Sequence, residues 1–284
     1  MNYRHAFHAG NFADVLKHWA LLHVLDHLRK KPTPFFVLDT HAGAGRYDLA
    51  SAEARRTGEA AGGIVKLLAA PSLPPALGPY LDLVRRFAAR EGVYPGSPKI
   101  VRARLRVGDR LLAMELHPED ERLLKRAFAG DPLVEVRRAD GFAAMKAVLP
   151  PAERRGLVLV DPAFEAKGEF RRLAAALGHG VRRWATGSYL VWYPIKDRDS
   201  ANAFLAEART LRMPKTLRAE LRVAPESAPG LAACGLLAVN PPHTMEAALG
   251  AILPCLVERL GQDDAGAFTL DWLVTESKAP SVSR

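Results

Sequence analysis

A chain of 284 residues that is 49% apolar and 25% charged, with a mean hydropathy of −0.05, can bury a full α/β core and is too apolar for a disordered chain. Two cysteines, Cys234 and Cys255, exclude a disulfide scaffold or a cysteine-rich zinc module and read as small buried side chains in a reducing compartment. Lys and Arg number 40, of which 29 are Arg, against 31 acidic residues, and the resulting net charge of +9 suits a polyanionic partner as readily as it suits plain solubility.

Asn11 is a plausible N-cap for an amphipathic helix over residues 12 to 30, in which Val15, Leu16, Trp19, Leu22 and Leu25 recur at helical spacing. Pro32 and Pro34 end that pattern, and PFFVLDT follows as an apolar run closing on Asp39, the mark of a strand buried on both faces. It runs straight into the Gly-rich turn His41-Ala42-Gly43-Ala44-Gly45-Arg46. About 65 residues then precede the next strand, where a whole βαβ unit needs about 30, so a segment is inserted. Residues 48–93 hold GEAAGGIVKLLAA and PPALGPYLDLVRRFAAR, parted by Pro71, Pro74 and Pro75, and are predicted to form a small helical lobe on the mouth of the sheet. Ser97, followed by Pro98, is the expected N-cap of the delayed first crossover helix.

Strands are predicted at 110–116, 134–140, 156–161 and 189–194, with helix-like stretches at 119–129, 142–148 and 167–180 between them. LRAELRVAP, GLLAVNPP and FTLDWLV add further strands around a helix over 244–260. This alternation predicts an α/β, Rossmann-like, doubly wound and mostly parallel sheet in a single domain, 1–284, with 48–93 as an inserted subdomain. No apolar leader or run of about 18 apolar residues occurs, so a cytoplasmic protein without membrane contact is expected.

In such sheets ligands bind at the carboxyl ends of the strands, where Asp39, Glu115, Asp140 and Asp161 fall. The turn around Gly43 lets a ligand approach the backbone. Glu115, ending the second strand, stands where a carboxylate accepts from both hydroxyls of a ribose, and Asp140-Gly141 where a carboxylate can accept from an adenine amino group. Together they suggest an adenosine-containing cofactor, with Lys17 and His18 near the methionyl end if that cofactor carries one. A nicotinamide dinucleotide would use the same turn. His5, His8, His18, His23 and His27 lack a Cys or carboxylate at zinc-site spacing, and no metal is expected.

The segment GLVLVDPAF ends in Asp161-Pro162-Ala163-Phe164 and resembles the [DN]-P-P-[YFW] signature of amino-group methyltransferases, with Ala163 in place of the usual second Pro. An exocyclic amine conjugated with its ring is a poor nucleophile. Hydrogen bonds from its N–H groups to the Asp161 carboxylate and the Pro162 carbonyl would favour a pyramidal nitrogen, while Phe164 stacks on the extruded base. Asn240-Pro241-Pro242-His243 matches the first three positions better but follows a late strand, expected near the sheet edge, and reads as a structural turn.

The chain as a whole resembles the RlmJ family of 23S ribosomal RNA adenine-N6 methyltransferases. The likeness rests on Tyr3-Arg4-His5-x-Phe7-His8-Ala9-Gly10-Asn11-x-Ala13-Asp14-Val15-Leu16-Lys17-His18, on Leu38 to Tyr47, and on Tyr94-Pro95-Gly96-Ser97-Pro98. It continues through Glu115-Leu116-His117-Pro118, Ala139-Asp140-Gly141-Phe142, Trp192-Tyr193-Pro194 and Val239-Asn240-Pro241-Pro242. The resemblance implies a class I methyltransferase fold and S-adenosyl-L-methionine as methyl donor, with S-adenosyl-L-homocysteine as product. It implies His18, His41, Ser97, Glu115, Asp140, Gly141 and Asp161 at the cofactor or in catalysis, and Tyr3 on the RNA. The implied target is adenine 2030 of 23S rRNA. Arg55, Arg56, Arg85 and Arg86 of the lobe are the expected phosphate contacts on the rim of the active site, in a protein expected to be a monomer without an obligate protein partner. A DNA adenine methyltransferase would use the same chemistry, and an inactive RNA-binding protein would keep the same surface.

Overall fold

In a computed structural model, residues 4–275 of the chain are described. A single turn, His5–Phe7, leads to Asn11, whose side chain accepts from the Asp14 amide at 2.9 Å and starts α1 (Phe12–Leu28). Then come β1 (Phe36–Asp39) and β2 (Arg46–Tyr47), followed by α2 (Ala52–Thr57), α3 (Ile64–Leu68) and α4 (Gly78–Glu91). β3 (Tyr94–Pro95), α5 (Ser97–Arg102), β4 (Arg110–Met114), α6 (Pro118–Ala127), β5 (Val134–Arg137) and α7 (Gly141–Val148) follow. The chain continues with β6 (Gly156–Val160), α8 (Glu169–Arg183), β7 (Ser188–Pro194) and α9 (Arg198–Thr210). It closes with β8 (Thr216–Arg222), β9 (Ala233–Val239), α10 (Met245–Leu260) and β10 (Ala267–Val274).

The main sheet has the order β10-β8-β9-β7-β6-β1-β4-β5. β5, β4, β1, β6 and β7 are parallel, whereas β9 runs antiparallel between β7 and β8, and β10 pairs antiparallel with β8. The chain winds outward from β1 through β4 in one direction and returns through β6 in the other, so the order reverses between β1 and β6. Alternation along the strands explains their unbroken apolar runs: Val37, Leu111 and Leu159 pack on the α1, α5 and α10 face, while Leu38, Leu112 and Val158 pack on the α7, α8 and α9 face.

The ribbon β2–β3 pairs Arg46 with Pro95 and Tyr47 with Tyr94, and so brackets residues 48–93. The lobe does not cap the mouth of the sheet as the sequence suggested. Ile64, Leu77 and Tyr80 are fully buried in the core shared with α1 and α10, and the Ile64 amide donates to the Gly10 carbonyl at 2.8 Å. Apolar burial on that flank decides where the lobe docks; α2 also meets the N-terminal turn, where the Thr57 hydroxyl donates to the Phe7 carbonyl. The N-cap of α5 is Gly96, in extended backbone, and Ser97 is the helix's first residue, its hydroxyl engaged with Asp39 instead of an α5 amide. β9 is an interior strand rather than a neighbour of the edge, and being antiparallel it delivers Asn240 to the end of the sheet opposite Asp161, where its amide donates to the carbonyls of Ala185 and Gly187. No helix among the described residues is long and apolar enough to cross a membrane.

Candidate active site

The carboxyl ends of β1, β4, β5 and β6 converge on a cavity of about 390 Å³. Lys17, His18, His41, Gly43, Ser97, Glu115, Asp140, Gly141 and Asp161, the nine residues picked out as cofactor contacts, all line it, together with Pro162 and Ala163. Gly43 and Gly45 take φ of +61° and +75°, a backbone that L side chains avoid, and the Tyr47 hydroxyl accepts from the Ala44 amide at 3.2 Å to close the turn. Glu115 is fixed by two amides, from Gly43 and from His117, at 2.7 Å each, and burial raises its carboxyl above the usual range. Each oxygen keeps acceptor capacity toward the cavity.

Asp140 caps α7, accepting from the Phe142 and Ala143 amides at 2.8 and 3.1 Å, while its other oxygen holds Arg172 at 2.8 Å. Arg172 also lies 5.0 Å over the Phe142 ring and lines the cavity. Gly141 is obligatory in a different sense, since a Cβ there would stand 2.0 Å from the Thr40 carbonyl oxygen. Asp39 is completely buried; burial pushes its carboxyl up to about 7, against the hydrogen bond from Ser97, and one of its oxygens has no partner. Burial likewise pushes His18 down to about 3 and His41 down to about 4, so both imidazoles are neutral at physiological pH.

The carboxylate of Asp161 accepts from the Lys17 ammonium, which also reaches Asp14 at 2.8 Å. Burial opposes the charge on Lys17, but Asp14 and Asp161 outweigh it and hold the ammonium well above the usual range. Asp161 therefore has one oxygen engaged by a cation. His5, on the cavity wall, meets the other oxygen of Asp14 at 2.9 Å. Sequence reading missed Asp14 and His5 as parts of this cluster and Arg172 as a wall of the cavity. The i, i+3 spacing of Asp14 and Lys17 next to the Asn11 cap was the available signal.

Other predicted residues do not meet here. Phe164 has a φ of +53°, which turns its ring away from the cavity onto Phe170 at 4.8 Å and Trp192 at 5.9 Å. It lines a shallow groove beside the cavity, sharing Ala166 and Glu169 with it. Arg55 and Arg56 are exposed on α2, next to the N-terminal turn. Arg85 and Arg86 are not on the rim, because the docking of the lobe carries α4 down the flank, where they share a depression with Arg104. Tyr3 lies outside the described residues. Of the N-terminal histidines, His8 meets Glu59 at 2.8 Å, His18 meets the Tyr94 hydroxyl at 2.8 Å and His23 meets Thr244 at 3.0 Å. Among the described residues no three His, Cys, Asp or Glu side chains gather as a metal cage.

Residues 32–274 match the family described as ribosomal RNA large subunit methyltransferase D, RlmJ. Over 279 residues, 97% of this chain and 100% of the relative, the sequence is 41% identical to ribosomal RNA large subunit methyltransferase J of Escherichia coli (strain K12). The chain belongs to this family. It is 40% identical over 280 residues to the Haemophilus influenzae member, again 97% of this chain and 100% of that one. A crystal structure of a Legionella pneumophila protein, 33% identical, superposes with a TM-score of 0.87 over 93% of this chain and 98% of its own. The RlmJ-family sheet seen here, with β9 reversed beside β7, is the Rossmann-like class I methyltransferase arrangement.

Proposed function

We propose that this protein transfers a methyl group from S-adenosyl-L-methionine to the N6 amine of one adenine in 23S rRNA, adenine 2030 by family resemblance, acting in the cytoplasm as one domain with 48–93 as its inserted lobe. The observation that carries the reading is that Asp161-Pro162 line one cavity with two further strand-end carboxylates, Glu115 and Asp140. The cavity suits the donor. Glu115 offers two fixed acceptors to a pair of ribose hydroxyls, Asp140 an acceptor to an adenine amine, and the unpartnered buried oxygen of Asp39 favours a cationic ligand nearby. Ser97, His18, His41, Gly43 and Lys17 line the remaining wall, and Gly141 leaves room for a ring against the backbone.

When bound, S-adenosyl-L-methionine supplies an electrophilic methyl on a sulfonium. The chain's own work is on the amine. The free oxygen of Asp161 and the Pro162 carbonyl accept its two N–H bonds, orient its lone pair, and stabilise the positive charge that grows on nitrogen. The proton leaves after the nitrogen has become cationic, through Asp161 or to water. Phe164, with Phe170, belongs to the adjoining groove, where we assign it to a nucleotide next to the target. Arg55 and Arg56 near the mouth, and Arg85 and Arg86 with Arg104 on the flank, are assigned to RNA phosphates, and Tyr3 to the RNA by resemblance.

The test is methyl transfer from labelled S-adenosyl-L-methionine to protein-free 23S rRNA lacking its native methylation, with the modified nucleoside identified by mass spectrometry. The wild type should yield N6-methyladenosine, and Asp161→Ala should lose at least about 100-fold in rate while still binding the donor. Transfer to duplex DNA but not to RNA would overturn the substrate, and an active Asp161→Ala would overturn the catalytic assignment.

A further inference from the structure

Asp14 has no part in the reaction as set out above. It does not line the cavity, and it is 1% exposed. Four groups nevertheless converge on its carboxylate. One oxygen takes the Lys17 ammonium at 2.8 Å, with the His18 imidazole 3.8 Å away. The other takes His5 at 2.9 Å and the Gly10 amide at 2.9 Å. Burying a carboxylate costs several kcal/mol unless its partners are held in good geometry, so an apolar side chain would tie the N-terminal turn to α1 more cheaply. What an apolar side chain cannot do is share a cation with Asp161.

We propose that Asp14 is a positioning residue for methyl transfer, acting through Lys17 and His5: it holds the Lys17 ammonium against one oxygen of Asp161, leaving the other for the target amine, and fixes His5 on the cavity wall. The inference rests on the methyltransferase reading given above. Its physical content is charge balance. Lys17 with Asp161 alone is a neutral pair, and a contact ion pair would blunt the carboxylate as an acceptor. Lys17 between Asp14 and Asp161 is shared by two carboxylates, so Asp161 does not form a closed neutral pair with it and keeps negative character where positive charge grows on the amine. Asp14 can play this part because it stays ionised. Burial would raise its carboxyl, but His5, Lys17 and His18 hold it well below the usual range.

The experiment compares wild type with Asp14→Asn, which keeps the shape and removes the charge, under steady-state kinetics on 23S rRNA. The expected result is a kcat lower by about 10- to 100-fold with KM for S-adenosyl-L-methionine changed by less than about threefold. The alkaline limb of the pH–rate profile should also move to lower pH, because burial of Lys17 is then opposed by Asp161 alone. The groups facing that ammonium include Asp39 and Asp161 at the strand ends, His18 on α1, Cys234 on β9, and Tyr47 and Tyr80 from the ribbon and the lobe. None of these is altered by the substitution. Should Asp14→Asn fail to fold, Asp14→Ser removes the same charge in a smaller polar side chain, and Lys17 keeps Asp161 as its partner. It should bind the donor and show the same low kcat. A wild-type rate in either variant, or a loss in which kcat and donor affinity fall together with no movement of the alkaline limb, overturns the proposal. Wild type that transfers no methyl to RNA instead refutes the functional reading, and this inference falls with it.

Discussion

Asp39 is the residue whose substitution most directly tests the electrostatics of the site. It ends β1 with no exposed surface and one oxygen unpartnered. Burial, reinforced by Asp161 and opposed by Ser97 and Lys17, pushes its carboxyl from the ordinary 3.8 to about 7. That displacement corresponds to about 4 kcal/mol. The sign runs against the usual carboxylate. Because the folded state binds the proton more tightly than the unfolded chain, the cost of Asp39 is absent below about pH 4, grows as the pH rises, and is complete above about pH 7. Asp39→Asn removes the charge and keeps the volume, so the ligand-free variant should be more stable than wild type at pH 8. Its advantage should be about 2–3 kcal/mol larger at pH 8 than at pH 5, since the other titrating groups are common to both proteins and cancel. Urea unfolding of both proteins at the two pH values measures this difference directly. A stability gap that does not change between pH 5 and pH 8 would refute the claim that burial raises the Asp39 carboxyl. The same variant should bind S-adenosyl-L-methionine more weakly, because the carboxylate that a cationic ligand would restore is gone. Such a stabilised but weaker binder is what a site under functional strain predicts.

Three further variants probe the cavity and the RNA surface. Gly141→Ala places a Cβ 2.0 Å from the Thr40 carbonyl oxygen, so the end of β1 or the start of α7 must move. Thermal unfolding should show a loss of about 1–3 kcal/mol, and donor affinity should fall as well. Arg55→Glu/Arg56→Glu and Arg85→Glu/Arg86→Glu should each weaken rRNA binding and reduce the slope of log affinity against log salt by about one for every lost phosphate contact, as read by filter binding across a salt series. A pair whose reversal leaves the slope unaltered does not touch RNA.

Much of this architecture was legible because it is set by local chemistry. Fully buried parallel strands must be apolar on both faces, so PFFVLDT and GLVLVD announced themselves, and the strand-end carboxylates followed from where an open sheet binds ligands. Even the insertion showed as an excess of chain between two strands. What sequence spacing could not carry was direction and long-range pairing. Asp161-Pro162 and Asn240-Pro241 both follow apolar strands, and only the antiparallel run of β9 sends the second to the far end of the sheet.

The same limit explains the residues that moved. Arg85 and Arg86 sit where apolar packing of α4 places them, which depends on Tyr80 and Leu77 finding the core under α1 rather than on any property of the arginines. Phe164 is turned by a left-handed backbone two residues beyond Pro162, a conformation that its own side chain does not favour and its neighbours Phe170 and Trp192 must hold. The charge cluster is the clearest case: Lys17 meets the carboxylate that follows β6, 144 residues away in sequence, so the contact could be read only after the sheet had brought α1 beside the end of that strand. On the reading proposed above, Asp161 is thus set from the N-terminal helix, and a substitution at Asp14, remote in sequence from Asp161 and outside the cavity, should bear on the same acceptor as one at Asp161 itself.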